Sequence, residues 1–536
     1  MRYKFIDVPS SLNVFWLGLA VISVGQGNLS AQNSSLQKVM EITFEKSPSV
    51  KISKLQVDYQ AGRVTQFQGQ FNPTLDIGIN KSLDKIPNNI AIREGYLGYK
   101  PEQSYEADLF DYSIAVSKRF QTGTLIRPSI QLNNNGRDAL FDNLVNAGVG
   151  EFITSRSNVF IDVTQPLLQG FGKKYYGANL EIEQLNLSAA ELEYTYNVSN
   201  QAYLVLLNYL NVVSAKRDLD IQKSIEKNFV DFAEQLKMLS DKDVIPRSEL
   251  TFINANVTSQ GAVVKRSESE YIRAKNRLVE SMGLPYSEQS KLDLGNLDFG
   301  LDSLLEEIPD AYLSAWLEKS KTSRGDYLAS QKRIASRSRD IEFAEQQNQP
   351  RLDFSLGMGY HGIYESNTAD QYYAPIYSNI PGVSYRAGLV FSWPMGQKST
   401  KGYLASSLAQ KQTNEEYLRS LGLNIEQQLA TSYTNIINYN TAVKQSTQSV
   451  AFNLQARQNE YIKLQLGTST VVNLVQVQNN YAFAQTSLNR YLLALNSAVI
   501  QFRYESGSLV SFSEDNKIII DVEEIFTLPK ISAQNE

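Results

Sequence analysis

The sequence predicts a mainly α protein with a β-barrel part. Long antiparallel helical hairpins, of α-barrel or coiled-coil type, join transmembrane strands, and the whole plan is written twice along the chain. Three observations carry this. Two stretches, from about Gly177 to Leu239 and from Leu404 to Leu466, keep a helical pattern with no proline. Several segments of near strand length alternate apolar with small or polar residues, the period of two that marks a strand with one greasy and one wet face. The landmarks of the first half recur in the same order in the second.

At the N-terminus, Arg2 and Lys4 precede an apolar stretch from Leu12 to Val24, and Leu29-Ser30-Ala31 ends in small residues before Gln32. Charged, apolar and small-residue regions in that order describe a secretory signal peptide over residues 1–31. About 13 apolar residues are too few for a membrane anchor, and no later run reaches the roughly 18 of a transmembrane helix. An exported chain of this kind that spans a membrane does so as a barrel.

Composition narrows the chemistry. The 536 residues include no cysteine and one histidine, with a net charge of −5. There is no thiolate, no disulfide framework and no second histidine for a metal site or a Ser-His triad. The mild acidity leaves no basic footprint for nucleic acid. No phosphate-cradling GxxxxGK[ST] loop is present, so the chain is not a motor. We therefore expect no enzyme activity, no catalytic residue, no cofactor and no metal. The pairs Glu306-Glu307 and Glu415-Glu416 are solvated helix faces, because adjacent helical residues point apart. Ser355 with His361 has no evident third partner for hydrolysis.

The duplication sets the domains. A first repeat covers 32–300, with a helix, strands at about 73–165 and a long helical hairpin over 173–283. A second covers 301–506, with strands at about 351–393 and a hairpin over 397–506. A periplasmic tail follows over 507–536. Ser47-Pro48-Ser49-Val50 and Ser323-Arg324-Gly325-Asp326-Tyr327 open matching helices, and a proline (Pro73, Pro350) precedes the strand after each. Val163-Thr164-Gln165-Pro166 and Phe391-Ser392-Trp393-Pro394 close strands ahead of the long helices. At 1.5 Å per residue those helices run on the order of 90 Å.

The returning helices repeat most clearly. Leu250, Ile253, Val257, Gln260, Val264, Ser267, Tyr271, Ala274 and Leu278 step by three and four, as do Leu474, Val477, Tyr481, Ala484, Leu488, Tyr491, Leu495, Ala498 and Phe502. That is a heptad seam. Reversals fall at Ser240–Pro246 and Gly467–Thr470, where Pro246 suits a helix start and Gly467 a C-cap.

The strands are read one by one. In Arg351–Gly362, Leu352, Phe354, Leu356, Met358 and Tyr360 alternate with Asp353, Ser355, Gly357, Gly359 and His361. Tyr385–Trp393, Leu75–Asn80 and Asn158–Val163 repeat this, and residues 110–132 form an extra hairpin around Gln121-Thr122-Gly123. Residues 82–108, 133–155 and 362–383 are expected as external loops. A soluble sandwich gives the same alternation, but an export signal with few strands and very long helices does not build one. Four to six strands cannot close a wide barrel, so several copies share it.

Thr164-Gln-Pro-Leu-Leu-Gln-Gly-Phe-Gly172, Ser323-Arg-Gly-Asp-Tyr-Leu-Ala329 and Leu466-Gly-Thr-Ser469, in this order and duplication, resemble the TolC family of outer-membrane ducts across the mature chain. The resemblance implies a homotrimer whose subunits share a twelve-stranded barrel, four strands each, in the outer-membrane lipid of a Gram-negative-type bacterium, with a large periplasmic part. The hairpin at 110–132 departs from that four-strand plan, and the sequence leaves it open as a barrel extension or as an external or periplasmic-side flap. It implies an exit duct for tripartite efflux or type I secretion, working with a periplasmic adaptor (membrane fusion protein) and an inner-membrane RND or ABC transporter. The alternative is a non-conducting periplasm-spanning coiled-coil scaffold or surface stalk. Laying the family's periplasmic gate on this chain places it at Leu464, Ser469, Asn473 and Gln476, with none of the charged gate residues, hence a neutral, amide-lined constriction. The adaptor-docking tips fall at Val244, Ile245, Pro246 and Arg247, where Lys242-Asp243 replaces the usual glycine, and at Leu466, Gly467, Thr468 and Ser469.

Overall fold

The computed structural model describes residues 31–87, 104–135, 153–241, 246–291, 311–366, 368–377, 381–513, 518–522 and 524–530. The signal peptide expected over 1–31, apart from Ala31, the docking residues Val244 and Ile245, and Lys242, Asp243, Glu306 and Glu307 lie outside them. The helices are α1 (Ala31–Lys46), α2 (Pro48–Gly69), a single turn α3 (Lys173–Tyr176), α4 (Ala178–Ser240), α5 (Arg247–Ser281), α6 (Ala311–Ser323), α7 (Gly325–Gln347), α8 (Lys398–Gln465) and α9 (Val471–Glu505). The strands are β1 (Thr74–Pro87), β2 (Ser104–Arg119), β3 (Leu125–Asn135), β4 (Ile153–Pro166), β5 (Arg351–Ser366) and β6 (Pro381–Ser392), with a two-residue ribbon β7 (Ser511–Phe512) and β8 (Ile518–Ile519). Among the described residues no helix is long and apolar enough to cross a membrane.

Two compact units divide the chain. One holds Lys54–Glu193 and Asp326–Leu421, and with them the six-stranded sheet. Its strands run β1-β2-β3-β4-β5-β6 in order, every neighbour antiparallel. The hairpin at 110–132, left open by the sequence, is β2 and β3, inserted in the sheet between β1 and β4, so the chain contributes six strands where the family plan has four. One expectation is corrected. The strands run past the expected loop boundaries: β1 continues to Pro87 against β2 from Ser104. Ser82, Asp84 and Lys85 have loop-like composition, but ladder hydrogen bonds are made by the backbone and continue beyond the apolar segment.

The junctions from strand to helix depend on glycines with positive φ. Gly170 and Gly172 take φ of 92° and 77°. This lets Leu167 N–H reach Leu352 O at 2.7 Å and Gln169 N–H reach Pro350 O at 3.1 Å before α3 begins. Gly396, at φ 92°, serves the second junction, where Gln397 Nε2 donates to Asn348 O at 3.1 Å.

The other unit comprises residues up to Ser53, Tyr194–Gly325 and Gly422–Glu536. Its fully buried side chains include Leu206, Tyr209, Leu210, Phe229, Trp316 and Phe502. Each such side chain contributes about 1.5–3 kcal/mol by leaving water. Phe502 stacks on Tyr312 at 5.6 Å and meets Trp316 edge-on at 6.3 Å. All nine seam positions of α5 are buried or half-buried, as the heptads predict. On α9 the buried stripe is wider than the predicted seam, taking in Val475, Gln478, Asn489, Asn496 and Val499, while Tyr491 stays exposed. A straight helix of 3.6 residues per turn drifts off a seven-residue repeat, so flanking positions rotate inward.

The described part of the tail is tied to the helices. Arg503 Nε donates to Thr527 O at 2.6 Å, and Tyr312 OH to Pro529 O at 2.7 Å. The segment Ser323-Arg324-Gly325 sits at the α6–α7 break and meets the end of α9. Ser323 Oγ donates to Ser506 O at 2.7 Å, and Arg324 pairs with Glu505 while lying over the rings of Tyr196 and Tyr504. Burial pushes the Tyr504 hydroxyl well above the ordinary tyrosine range, and it donates to Tyr196 OH at 2.8 Å.

Candidate functional site: a two-faced wall and two helical tips

Residues directly opposite in an antiparallel ladder share a face. The row Ile77, Ile114, Ile130, Val159, Tyr360 and Val383 crosses all six strands on one side. Leu75, Ile161, Leu356, Met358, Tyr385, Leu389 and Phe391 extend that side, and these are exposed. Ile79 is 72% and Leu389 65% open. The row Gly78, Ser113, Gln131, Asn158, His361 and Gly382 crosses the opposite side. The alternation predicted strand by strand therefore becomes one apolar sheet face and one polar sheet face.

His361 belongs to the polar face, with Nδ1 2.7 Å from Asn158 Oδ1 and its ring edge-on to Phe160. Phe160 interrupts the polar pattern of β4, and the sheet provides for it. Its strand partner is Gly359, where any Cβ would collide with the ring. Arg386 lies over the ring at 4.5 Å and reaches Asp162 at 2.6 Å. Gly357 gives Arg386 and Asp162 room, since a Cβ there would come within 2.6 Å of Arg386 Nε. The glycines of the Ser355–His361 stretch are spaces for neighbours, and Ser355 donates to Gly388 O at 3.3 Å rather than joining His361.

At the end of the sheet away from the helix junctions, residues 368–377 fold onto the apolar face. Ser157 Oγ donates to Pro375 O at 2.6 Å, and Tyr112 OH donates to Tyr372 O. The strap buries Leu132, Ser155 and Ser157 and leaves Tyr372, Tyr373 and Tyr377 exposed. At the junction end, Phe120, Phe171, Phe391 and Trp393 are exposed. Aromatic residues thus flank the apolar band at both ends.

The tip between α8 and α9 is well defined. Gly467, at φ 71°, lets its N–H reach Leu464 O at 3.0 Å and Thr468 N–H reach Lys463 O at 2.9 Å, a Schellman ending. Thr470 caps α9 by accepting from Asn473 N–H at 3.3 Å. Leu464 packs against the cluster of Ile225, Phe229, Leu236, Ile253, Val471 and Val475. Ser469 donates to Glu460 Oε1. Asn473 and Gln476 lie exposed on one face of α9, and Gln476 Nε2 donates to Asn480 Oδ1 at 3.1 Å. Within one chain, then, Asn473 and Gln476 share a face while Leu464 turns inward. Leu466 is 72% exposed. At the other tip, Pro246 occupies the N-cap and Arg247 opens α5, both exposed.

Glu460 was not predicted as part of this tip. The Ser469 hydroxyl, and then Lys463 at 3.2 Å, hold its carboxyl below the usual range. Its heptad position looks like any solvated helix residue, so only the reversal of the chain brings it to Ser469. Gln478 was also missed: it is fully buried, and neither its oxygen nor its nitrogen has a partner among the described residues.

No family model matches the chain, and neither does any curated protein. Solved structures do match. The outer-membrane channel OprN superposes with a TM-score of 0.65 at 13% identity, over 89% of this chain and 90% of that one. The CmeC outer membrane channel of Campylobacter jejuni gives 0.63 at 10%, over 91% and 90%. The open state of the MtrE outer membrane channel of Neisseria gonorrhoeae gives 0.61 at 13%, over 90% and 93%. The chain thus has the fold of the TolC-like outer-membrane channels.

Proposed function

We propose that the protein is an outer-membrane channel, the exit duct of a tripartite efflux or type I secretion system that passively conducts small molecules or proteins to the exterior. The observation that carries this is the apolar face that crosses all six strands, largely exposed beyond the strap at 368–377 and backed by a polar face. Soluble surfaces rarely present so large an apolar patch, whereas a barrel wall puts it in lipid and the polar face toward water. The aromatic residues at both ends of the band fit the two membrane interfaces. Mature residues 32–300 and 301–506 form the two repeats, in keeping with the equal 35-residue lengths of α5 and α9. The signal peptide at 1–31 directs export, and the tail over 507–536 lies in the periplasm.

The assembly is a homotrimer, as the TolC-like fold suggests; in support, among the described residues β1 and β6 each keep one edge without a strand partner, which a further copy would pair. It works with a periplasmic adaptor and an inner-membrane RND or ABC transporter. The tips at Val244–Arg247 and Leu466–Ser469 dock the adaptor, and the copies of Asn473 and Gln476 meet near the axis as a neutral constriction. Amides both donate and accept there, where like charges would repel. Planar-bilayer recording tests the function: discrete channels are expected, and a non-conducting scaffold gives none. Polyvalent cations added from the periplasmic side test the constriction, since strong block would require charged groups there.

A further inference from the structure

The β2–β3 hairpin is part of the sheet at every level. Its apolar residues fall on the apolar face, with Ile114 between Ile77 and Ile130, and Ile130 against Val159. Its polar residues fall on the polar face, where Asn133 Nδ2 donates to Asp111 Oδ1 at 2.8 Å. A flap lying off the wall has no reason to match both faces. The hairpin turn is also tied to the strand-to-helix junction. Gly172 N–H donates to Thr122 O at 2.9 Å, Thr124 Oγ1 donates to Gln165 Oε1 at 2.5 Å, and Arg119 donates to Tyr176 OH at 2.9 Å while covering its ring. Gly123, at φ 90°, has no room for a Cβ beside Gly170 O.

The edges matter next. β1 and β6 run in opposite directions, because six antiparallel strands in order form an even series. The β6 edge of one copy therefore meets the β1 edge of a second copy antiparallel, with apolar faces on the same side. β1 has 14 residues and β6 has 12, so the two edges are matched in length.

The geometry points to a shared wall of eighteen strands, three copies of six, in place of the twelve expected from four strands per chain. This rests on the trimer proposed above. Barrel diameter grows roughly linearly with strand number, so the lumen is about half again as wide as a twelve-stranded one. The hairpin is an inserted widening element. Residues on β1 and β4 that flank it keep the same face (Ile77 and Val159), so removing it leaves β1 and β4 free to pair directly in matching orientation.

The experiment compares the full chain with a variant in which residues 88–152 are replaced by a short polar loop. Electron cryomicroscopy of the detergent-solubilised full chain is expected to show three copies around an eighteen-stranded barrel. The variant is expected to show twelve strands. In planar bilayers, polyethylene glycols added from the outer side report the barrel mouth independently of any periplasmic constriction, and the variant is expected to exclude smaller polymers than the full chain. A full-chain trimer with twelve strands overturns the inference and leaves the trimer standing, as does an unchanged polymer cut-off in a folded variant. A full chain that does not form trimers overturns the assembly on which the inference rests. Should the variant fail to fold, the strand count of the full chain decides.

Discussion

Replacing Arg324 with methionine removes a buried cation and leaves Glu505 behind. Arg324 is 5% and Glu505 12% exposed at the side chain. Glu505 is the last residue of α9, where the helix dipole already disfavours a carboxylate. Arg324 offsets that charge, donates to Glu505 O at 3.3 Å and covers Tyr196 and Tyr504 at 5.5 and 5.7 Å. Breaking a buried pair by removing one partner costs about 3–5 kcal/mol. Arg324→Met is expected in that range, and Glu505→Gln near its lower end, because the amide still accepts from the guanidinium. The double variant should cost less than the two added together, with a coupling on the order of 2 kcal/mol. Chemical unfolding of the detergent-solubilised protein, followed by circular dichroism, measures all four corners of the cycle. A coupling below about 0.5 kcal/mol would refute the reasoning, because residues in one network do not act independently.

Other outcomes follow from the same physics. Gln478→Met replaces a buried amide that has no partner among the described residues by a side chain of similar size and should raise stability by about 1–3 kcal/mol in the same unfolding assay; a loss would show that the amide has a partner in the assembly. Gly359→Val drives a branched side chain into the Phe160 ring and should cost about 1–3 kcal/mol, with Phe160→Ala restoring part of it in the double variant. Because the folded Glu460 carboxyl is held below its ordinary value, its contacts stabilise the α8–α9 tip above the usual carboxylate range and are lost as pH falls through the lowered value. Hydrogen exchange over residues 460–473 should therefore be faster in Ser469→Ala than in the parent at neutral pH, and the difference should vanish in strong acid once intrinsic rates are corrected.

Much of this protein was readable because the signals are local. The alternation of Leu352–Tyr360 specifies a strand and its two faces through neighbouring residues alone, and the three-four steps of α5 specify its buried side in the same way. Gly467 announced the end of α8 because a positive φ at a helix terminus favours glycine. The widening of the α9 stripe to Gln478 and Asn496 was not readable, because it follows from helical drift against partners far away in sequence. Nor was the Ser323-Arg324-Gly325 motif explicable by itself, since its meaning lies with Glu505 and Ser506.

The sequence by itself determined the class of architecture: long paired helices and strands with one apolar and one polar face. Only the tertiary structure decided how many strands the wall receives and in what order. A strand's alternation says which face is apolar, but it is silent about which strand lies beside it. Inserting β2 and β3 between β1 and β4 is a choice of non-local backbone pairing. It is held by ladder hydrogen bonds that every residue type can make and by the tie of Thr122 and Arg119 to the α3 junction.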